Sequence, residues 1–359
     1  MNDDILRLRP RHNDIAVALI GGIWTKIIVS ASTRNQISPS VAEAIGATPL
    51  VELSRLTTGL EGHILAKLDC LNPGGSKKDR VARRIIEDAE KNGALQPGQS
   101  VVELTSGNTG TGLAIVCQIK RYPFVAVMSR GNSQERASMM RALGAEVMLV
   151  DQAPGSSPGQ VTGDDLALAE QQVQRIVKQR KAFLADQFHH IGNFHAHYEG
   201  TGPELWDQSG GRIDVFCDFV GTGGTFSGCA AYLKSRDPEI ACYIVEPHDA
   251  APLSGNDVAN AAHAIQGGGY AMGYDNLPLL DREHVDGYVR ISSDQATDAT
   301  RRLAREEGIF AGYSSGANIA AAMKLLHGPC RGKSVAIVIC DSGLKYFTTD
   351  LWKIKGAIP

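Results

Sequence analysis

The chain has 359 residues, 43% of them hydrophobic and 21% charged, the balance of an ordinary globular protein long enough for two α/β units. Thirty-six basic against 39 acidic side chains leave a formal charge of −3, which gives no basic footprint for nucleic acid. No apolar run nears the ~20 residues of a membrane span, and seven scattered cysteines without a Cys-x-x-Cys pair fit a reducing cytoplasm better than a disulfide scaffold.

Residues 1–44 read as an N-terminal extension. Its apolar run Ile15 to Trp24 follows Arg9, Arg11 and His12, a faint likeness of a signal peptide without a cleavage site. From Thr48 the pattern alternates strand and helix, which predicts parallel strands covered by helices on both faces. Asn72-Pro-Gly-Gly-Ser-Lys-Lys-Asp-Arg80 is turn chemistry leading into a helix, with Ser76 and Asp79 spaced like a capping box. Val81, Ala82, Ile85, Ile86 and Ala89 mark its buried stripe and Gly93 its end. Lys77 and Lys78 fall in the first turn, where a cation opposes the helix macrodipole. Either both are solvated or one has chemical work to do.

Val101 to Thr105 reads as a strand, Thr111 to Tyr122 as a helix, Phe124 to Met128 as a strand and Ser133 to Leu143 as a helix. Strand Glu146 to Val150 and amphipathic helix Asp164 to Arg180 follow. Around His189 the composition changes and the alternation resumes. Strands are predicted at Val215 to Val220, Cys242 to Glu246 and Val335 to Cys340, and helices at Phe226 to Ser235, Asp294 to Glu307 and Ser315 to Leu326.

Two strand-to-helix loops stand where ligands bind in open α/β sheets. Gly221-Thr-Gly-Gly-Thr225 exposes consecutive N–H groups and two hydroxyls, suited to a phosphate, yet it is neither a P-loop nor a full dinucleotide fingerprint. Thr105-Ser-Gly-Asn-Thr-Gly110 offers neutral donors suited to a carboxylate, although the same residues would serve as an ordinary capped helix start. Histidines 189, 190, 195 and 197 do not share one helical face, and no cysteine or carboxylate completes a ligand set, so no metal site is expected.

Taken together, the Asn72 to Arg80 segment, Thr105 to Gly110, Gly221 to Thr225, Gly312-Tyr-Ser-Ser-Gly-Ala317 and Asp341-Ser-Gly343 resemble, in order, the motifs of the cysteine synthase and cystathionine β-synthase family of pyridoxal 5′-phosphate (PLP) enzymes. The resemblance runs from about Ala47 to Trp352. It implies two doubly wound α/β domains of the tryptophan synthase β-like fold, a smaller one at 78–186 and a larger one built from 45–77 and 187–359. By the same resemblance Lys78 forms the Schiff base with PLP, Gly221, Thr222, Gly223, Gly224 and Thr225 cradle its phosphate, and Ser314 meets its pyridine nitrogen. Asn108 lies near the ring oxygen. Thr105, Ser106, Gly107, Asn108, Thr109 and Gln187 hold the substrate carboxylate, and Gly267 and Gly268 line the site.

The implied activity is β-replacement on an O-activated L-serine by sulfide or another sulfur nucleophile through an aminoacrylate, most like O-acetylserine sulfhydrylase, in a cytoplasmic homodimer. A cystathionine β-synthase-like reaction on serine or O-phosphoserine is the nearest alternative. A PLP-fold binding protein with little activity is the non-enzymatic one. Lys77, the glycines at 267 to 269 and Leu344-Lys345 depart from the family pattern near expected substrate surfaces.

Overall fold

In a computed structural model the chain is described over residues 15–20, 23–28, 37–105, 107–155, 161, 163–258, 261 and 263–353. It divides into two units, residues 1–39 and 40–359. In the first, strands β1 (Ile15–Ile20) and β2 (Ile23–Ile28) pair antiparallel with Ile20 opposite Ile23. The apolar run read as a signal-like stretch is thus broken into two strands, and the intervening residues in sequence are Gly21-Gly22.

The second unit holds two sheets. Strands β3 (Leu50–Glu52), β4 (His63–Lys67), β9 (Val215–Phe219), β10 (Ala241–Pro247), β11 (Gly287–Ile291) and β12 (Ser334–Val338) form one in the order β11-β10-β9-β12-β4-β3. All its pairs are parallel except β3 with β4. Strands β5 (Val101–Leu104), β6 (Phe124–Ser129), β7 (Glu146–Val150) and β8 (Phe183–Leu184) form the other, wholly parallel, in the order β7-β6-β5-β8. Strands β3, β4, β8 and β11 went unread in the sequence, being short or irregular in hydrophobic pattern.

Helices α1 (Lys78–Asn92), α2 (Asn108–Lys120), α3 (Gln134–Ala142) and α4 (Gly163–Arg180) serve the four-stranded sheet. Helices α5 (Gly192–Ala196) and α6 (Gly202–Ser209) are joined by a wide π-type turn over 197–201. Helices α7 (Gly224–Arg236), α8 (Ser293–Arg302) and α9 (Tyr313–His327) belong to the six-stranded sheet, α7 and α9 packing directly on β9. Each sheet has a separate apolar cluster on either face, which is what a parallel sheet needs to bury both its sides.

Helix α1 buries Val81, Ala82, Ile85, Ile86 and Ala89 and ends at Gly93 with φ +77°, as the periodicity predicts. Its start differs from a capping box. Lys77 is the cap residue without a side-chain cap bond, and the Asp79 carboxylate instead accepts from the Gly74 N–H. A buried ionic cage anchors the helix. Arg80 donates to Asp69 at 2.9 and 3.0 Å and to Glu204 at 2.6 and 2.8 Å, while fully buried Lys67 reaches Glu204 at 2.6 Å. Its mutual pairing offsets desolvation, so each charge depends on the others.

Candidate active site

Strand β5 leads through residues 105–107 into α2, and strand β9 through residues 220–223 into α7. In the segment before α1, Gly75 takes φ +71° and the chain then runs alongside residues 340–342. The Lys77 N–H donates to Cys340 O at 2.8 Å, and the Ser342 N–H to Gly75 O at 3.0 Å. The two adjacent lysines therefore leave one stiff backbone in different directions.

Lys77 donates to both oxygens of Asp218, a buried acid in the middle of β9. Lys78 goes to the glycine loop, with its Nζ 3.3 Å from Thr222 Oγ1. Burial pushes the Lys78 amine down to about 8, and the neighbouring Lys77 ammonium pushes the same way against Asp218. A lysine that is readily neutral near physiological pH is what nucleophilic and proton-transfer chemistry requires. Lys77 is held well up by Asp218 and stays charged.

Around the glycine loop the backbone fits so closely that side chains have no room. A Cβ on Gly221 would lie 2.9 Å from Gly267 O, one on Gly268 2.6 Å from Val220 O, and one on Gly223 2.8 Å from Leu280 Cβ. Gly223, with φ +87°, caps α7, so the loop presents the positive end of that helix. Asn193 braces it by donating to Thr222 Oγ1 at 2.8 Å and to Gln187 O at 2.7 Å, and its own Oδ1 is buried without a partner. Thr225 Oγ1 sits 3.1 Å from His197 Nε2, and burial keeps that imidazole neutral.

At the end of β5, Thr105 Oγ1 accepts from the N–H groups of Gly107 and Gly110 at 3.0 and 2.9 Å. Thr109 Oγ1 donates to Gln187 Oε1 at 2.6 Å, which ties Gln187 to this loop. Gly107 takes φ +142°, with Arg136 filling the place of its missing side chain. Ser106 lies outside the described residues. Asn108 bridges to the far end of the chain: its Nδ2 donates to Asp341 at 2.7 Å, and its Oδ1 accepts from Lys345 at 2.7 Å.

Ser314 is buried in the first turn of α9, and a Cβ on Gly267 would lie 3.6 Å from its Oγ. Neither Ser314 nor Ser315 caps that helix. Gly312 is the cap residue, and Ser315 Oγ accepts from the Cys340 N–H at 2.9 Å. The fold thus gathers Lys78 with Thr222, Asn108 with Gln187's neighbour Thr109, and Gly221, Gly267, Gly268 and Ser314 along connected loops.

The sequence reading overlooked Asn193, Asp218, Glu103 and Arg136. Asp218 and Glu103 carried a usable signal, since an acid inside an otherwise apolar strand announces a buried partner. Glu103 is raised to about 8 by burial and then by Asp186. Asn193 carried none. The histidines are otherwise engaged: His189 Nδ1 lies 2.8 Å from Asp186, His190 Nδ1 accepts from the Gly192 N–H, and among the described residues no three ligating side chains cluster.

A narrow glycine cradle at a helix start, a depressed lysine beside it and a separate carboxylate-type loop form a donor set that fits PLP. Residues 41–341 match the family model described as pyridoxal-phosphate dependent enzyme. The chain belongs to that family. It is 41% identical to cysteine synthase 3 of Caenorhabditis elegans over 89% of this chain and 91% of that protein. Its fold superposes on O-acetylserine sulfhydrylase isoform 3 of Entamoeba histolytica with a TM-score of 0.81 at 35% identity, covering 90% of this chain and 95% of the other. A solved O-ureido-L-serine synthase matches with a TM-score of 0.80 at 34% identity, over 90% of this chain and 98% of its own. The protein is a PLP-dependent enzyme of the cysteine synthase type, acting on small molecules. Among the described residues no helix is long and apolar enough to cross a membrane.

Proposed function

We propose that this enzyme replaces the β-substituent of an O-activated L-serine, O-acetyl-L-serine first, with sulfide or another sulfur nucleophile, giving L-cysteine or an S-substituted analogue. The observation that carries this reading is the Lys78 amine, lowered to about 8 and hydrogen-bonded at the glycine cradle. In this reading Gly221 to Thr225 would hold the phosphate of PLP, Ser314 would meet its ring nitrogen and Lys78 would be the residue that tethers it. When bound, the cofactor supplies an electron sink for negative charge at the substrate Cα; a serine opposite the ring nitrogen leaves that nitrogen neutral and favours prompt elimination.

Thr105, Ser106, Gly107, Asn108, Thr109 and Gln187 fix the substrate carboxylate, which sets the Cα–H toward Lys78. With its amine free and neutral, Lys78 Nζ would take the Cα proton as general base. The Cβ–O bond then breaks with its electron pair leaving on the acetate, the nucleophile forms a bond to Cβ, and Lys78 returns the proton to Cα. Gly267, bare beside Ser314, would line the substrate space, and Gly268 lets the same loop pack on the Val220 carbonyl.

The distribution of strands between the sheets supports a smaller domain at 78–186 and a larger one from 45–77 and 187–359. Seven free thiols, six of them buried, support a reducing cytoplasm. The family resemblance alone implies a homodimer, to be checked by light scattering on the purified protein. The deciding experiment crosses O-acetylserine, O-phosphoserine and serine with sulfide, thiosulfate, homocysteine and amines and reads products by mass. Cysteine from O-acetylserine and sulfide, lost in Lys78→Ala, is the expected result. No product from any pair by a protein that retains PLP would overturn the reading in favour of a binding homologue.

A further inference from the structure

Lys345 departs from the family pattern, and it does not face solvent. It is 4% exposed, its Cε would lie 3.5 Å from a Cβ on Gly75, and its Nζ donates to Asn108 Oδ1 at 2.7 Å. Asp341, 0% exposed, takes the other end of the same amide by accepting from Asn108 Nδ2 at 2.7 Å, and its Oδ2 also accepts from the Tyr346 hydroxyl at 2.6 Å. Arg136 stacks 5.0 Å over the Tyr346 ring and donates to Gln266 Oε1 at 2.8 Å, closing the group around Gly107.

An asparagine amide is nearly symmetric in shape, so only its partners decide which way round it sits. Here a turned amide would set its NH₂ against the Lys345 ammonium and its oxygen against the Asp341 carboxylate. Both contacts would be repulsive. With Oδ1 committed to Lys345 and one Nδ2 hydrogen to Asp341, a single side-chain N–H of Asn108 remains to be offered.

We propose that Lys345 is a positioning residue for the α-carboxylate of the amino-acid substrate: it locks the Asn108 amide so that its remaining N–H serves that carboxylate, and it sets a positive charge one hydrogen bond behind the contact. The inference rests on residues 105–109 being the carboxylate loop. The loop itself supplies only neutral donors, and although burial lowers the Lys345 amine, Asp341 and Asp79 beside it favour its charged form.

The test uses PLP-loaded enzyme and two readouts. One is KM and kcat for O-acetyl-L-serine. The other is the affinity for unreactive L-alanine from the change in cofactor absorbance, with ethylamine as the carboxylate-free control. Lys345→Met is expected to raise KM and the L-alanine Kd about tenfold or more, with kcat within about threefold and ethylamine affinity unchanged, while Lys345→Arg recovers most of the loss. Equal weakening toward L-alanine and ethylamine, or unchanged L-alanine affinity, overturns the proposal. Asn108→Ala and Thr109→Ala separate the two levels: if they too leave L-alanine affinity intact, the carboxylate loop itself is misassigned; if they weaken it and Lys345→Met does not, only the role of Lys345 falls. Should Lys345→Met fail to fold, Lys345→Gln keeps a donor without charge. Intermediate weakening then supports the proposal, and native affinity overturns it.

Discussion

Lys77 spends its ammonium on Asp218, at 2.8 and 3.0 Å, and both charges of that pair act on the amine of Lys78. Asn318 completes the arrangement by donating to the same Asp218 at 3.0 Å. Removing one partner of such a pair leaves a buried charge uncompensated, which costs about 3–5 kcal/mol. Lys77→Met therefore lowers the urea midpoint. It also exposes Lys78 to an unbalanced carboxylate, so the rising limb of the pH–rate profile moves to higher pH. Lys77→Met combined with Asp218→Asn restores most of both. An unchanged profile in the single variant would show that Lys77 has no electrical influence on its neighbour.

The same amine leaves a mark on stability. Its folded value of about 8 lies below the ordinary ~10.4 of lysine, so between those limits the unfolded chain binds more protons than the folded one. Stability of the cofactor-free protein gains a contribution as pH rises from about 8 to about 10.5, and loses it as pH falls back through about 8. Lys78→Met removes this contribution. Urea unfolding of apoprotein at pH 7.5 and 10 measures the difference, which is larger in the wild type than in the variant.

The cage at Glu204 responds at the acid end. Its carboxyl is held down to about 2 by Arg80 and Lys67, although burial acts the other way. The stability this pairing supplies is complete above the ordinary carboxylate range and is lost as pH falls toward about 2. Glu204→Ala strands Lys67 and costs about 3–5 kcal/mol at pH 7. The penalty shrinks by pH 3, and denaturant midpoints at the two pH values follow it.

Gly228, on the first turns of α7, faces the backbone of the 192–201 segment. A Cβ there would sit 2.5 Å from Phe194 O and 2.9 Å from Tyr198 N, atoms that cannot swing aside. Gly228→Ala is expected to destabilise by about 1–3 kcal/mol and to weaken cofactor retention, because α7 carries the glycine loop. Melting temperature and the concentration of PLP needed to recover colour both read the effect.

Much of this architecture was legible where local chemistry and tertiary role coincide. Helix α1 obeyed its apolar spacing and its closing glycine, and β5, β6 and β9 were plain because their residues are buried on both faces. Strand β4 was not, since His63-Ile-Leu-Ala-Lys67 ends in a lysine whose burial makes sense only once Glu204, some 140 positions later, is beside it. The start of α1 misled for a related reason: Asp79 had a nearer customer in the Gly74 N–H than the one a capping box supplies. The glycine loop and Lys78 could be found from motif order. The partners of Asn108 could not, because Asp341 and Lys345 come from more than 230 positions away and no local pattern links them.

The seam between residues 75–77 and 340–342 bears on biosynthesis. Strand β12 separates β4 from β9, so the large sheet lacks its middle until residue 338 has been made, whereas residues 101–184 carry every strand of the small one. A nascent chain emerging from the ribosome thus exposes its reactive lysine long before the walls around it exist.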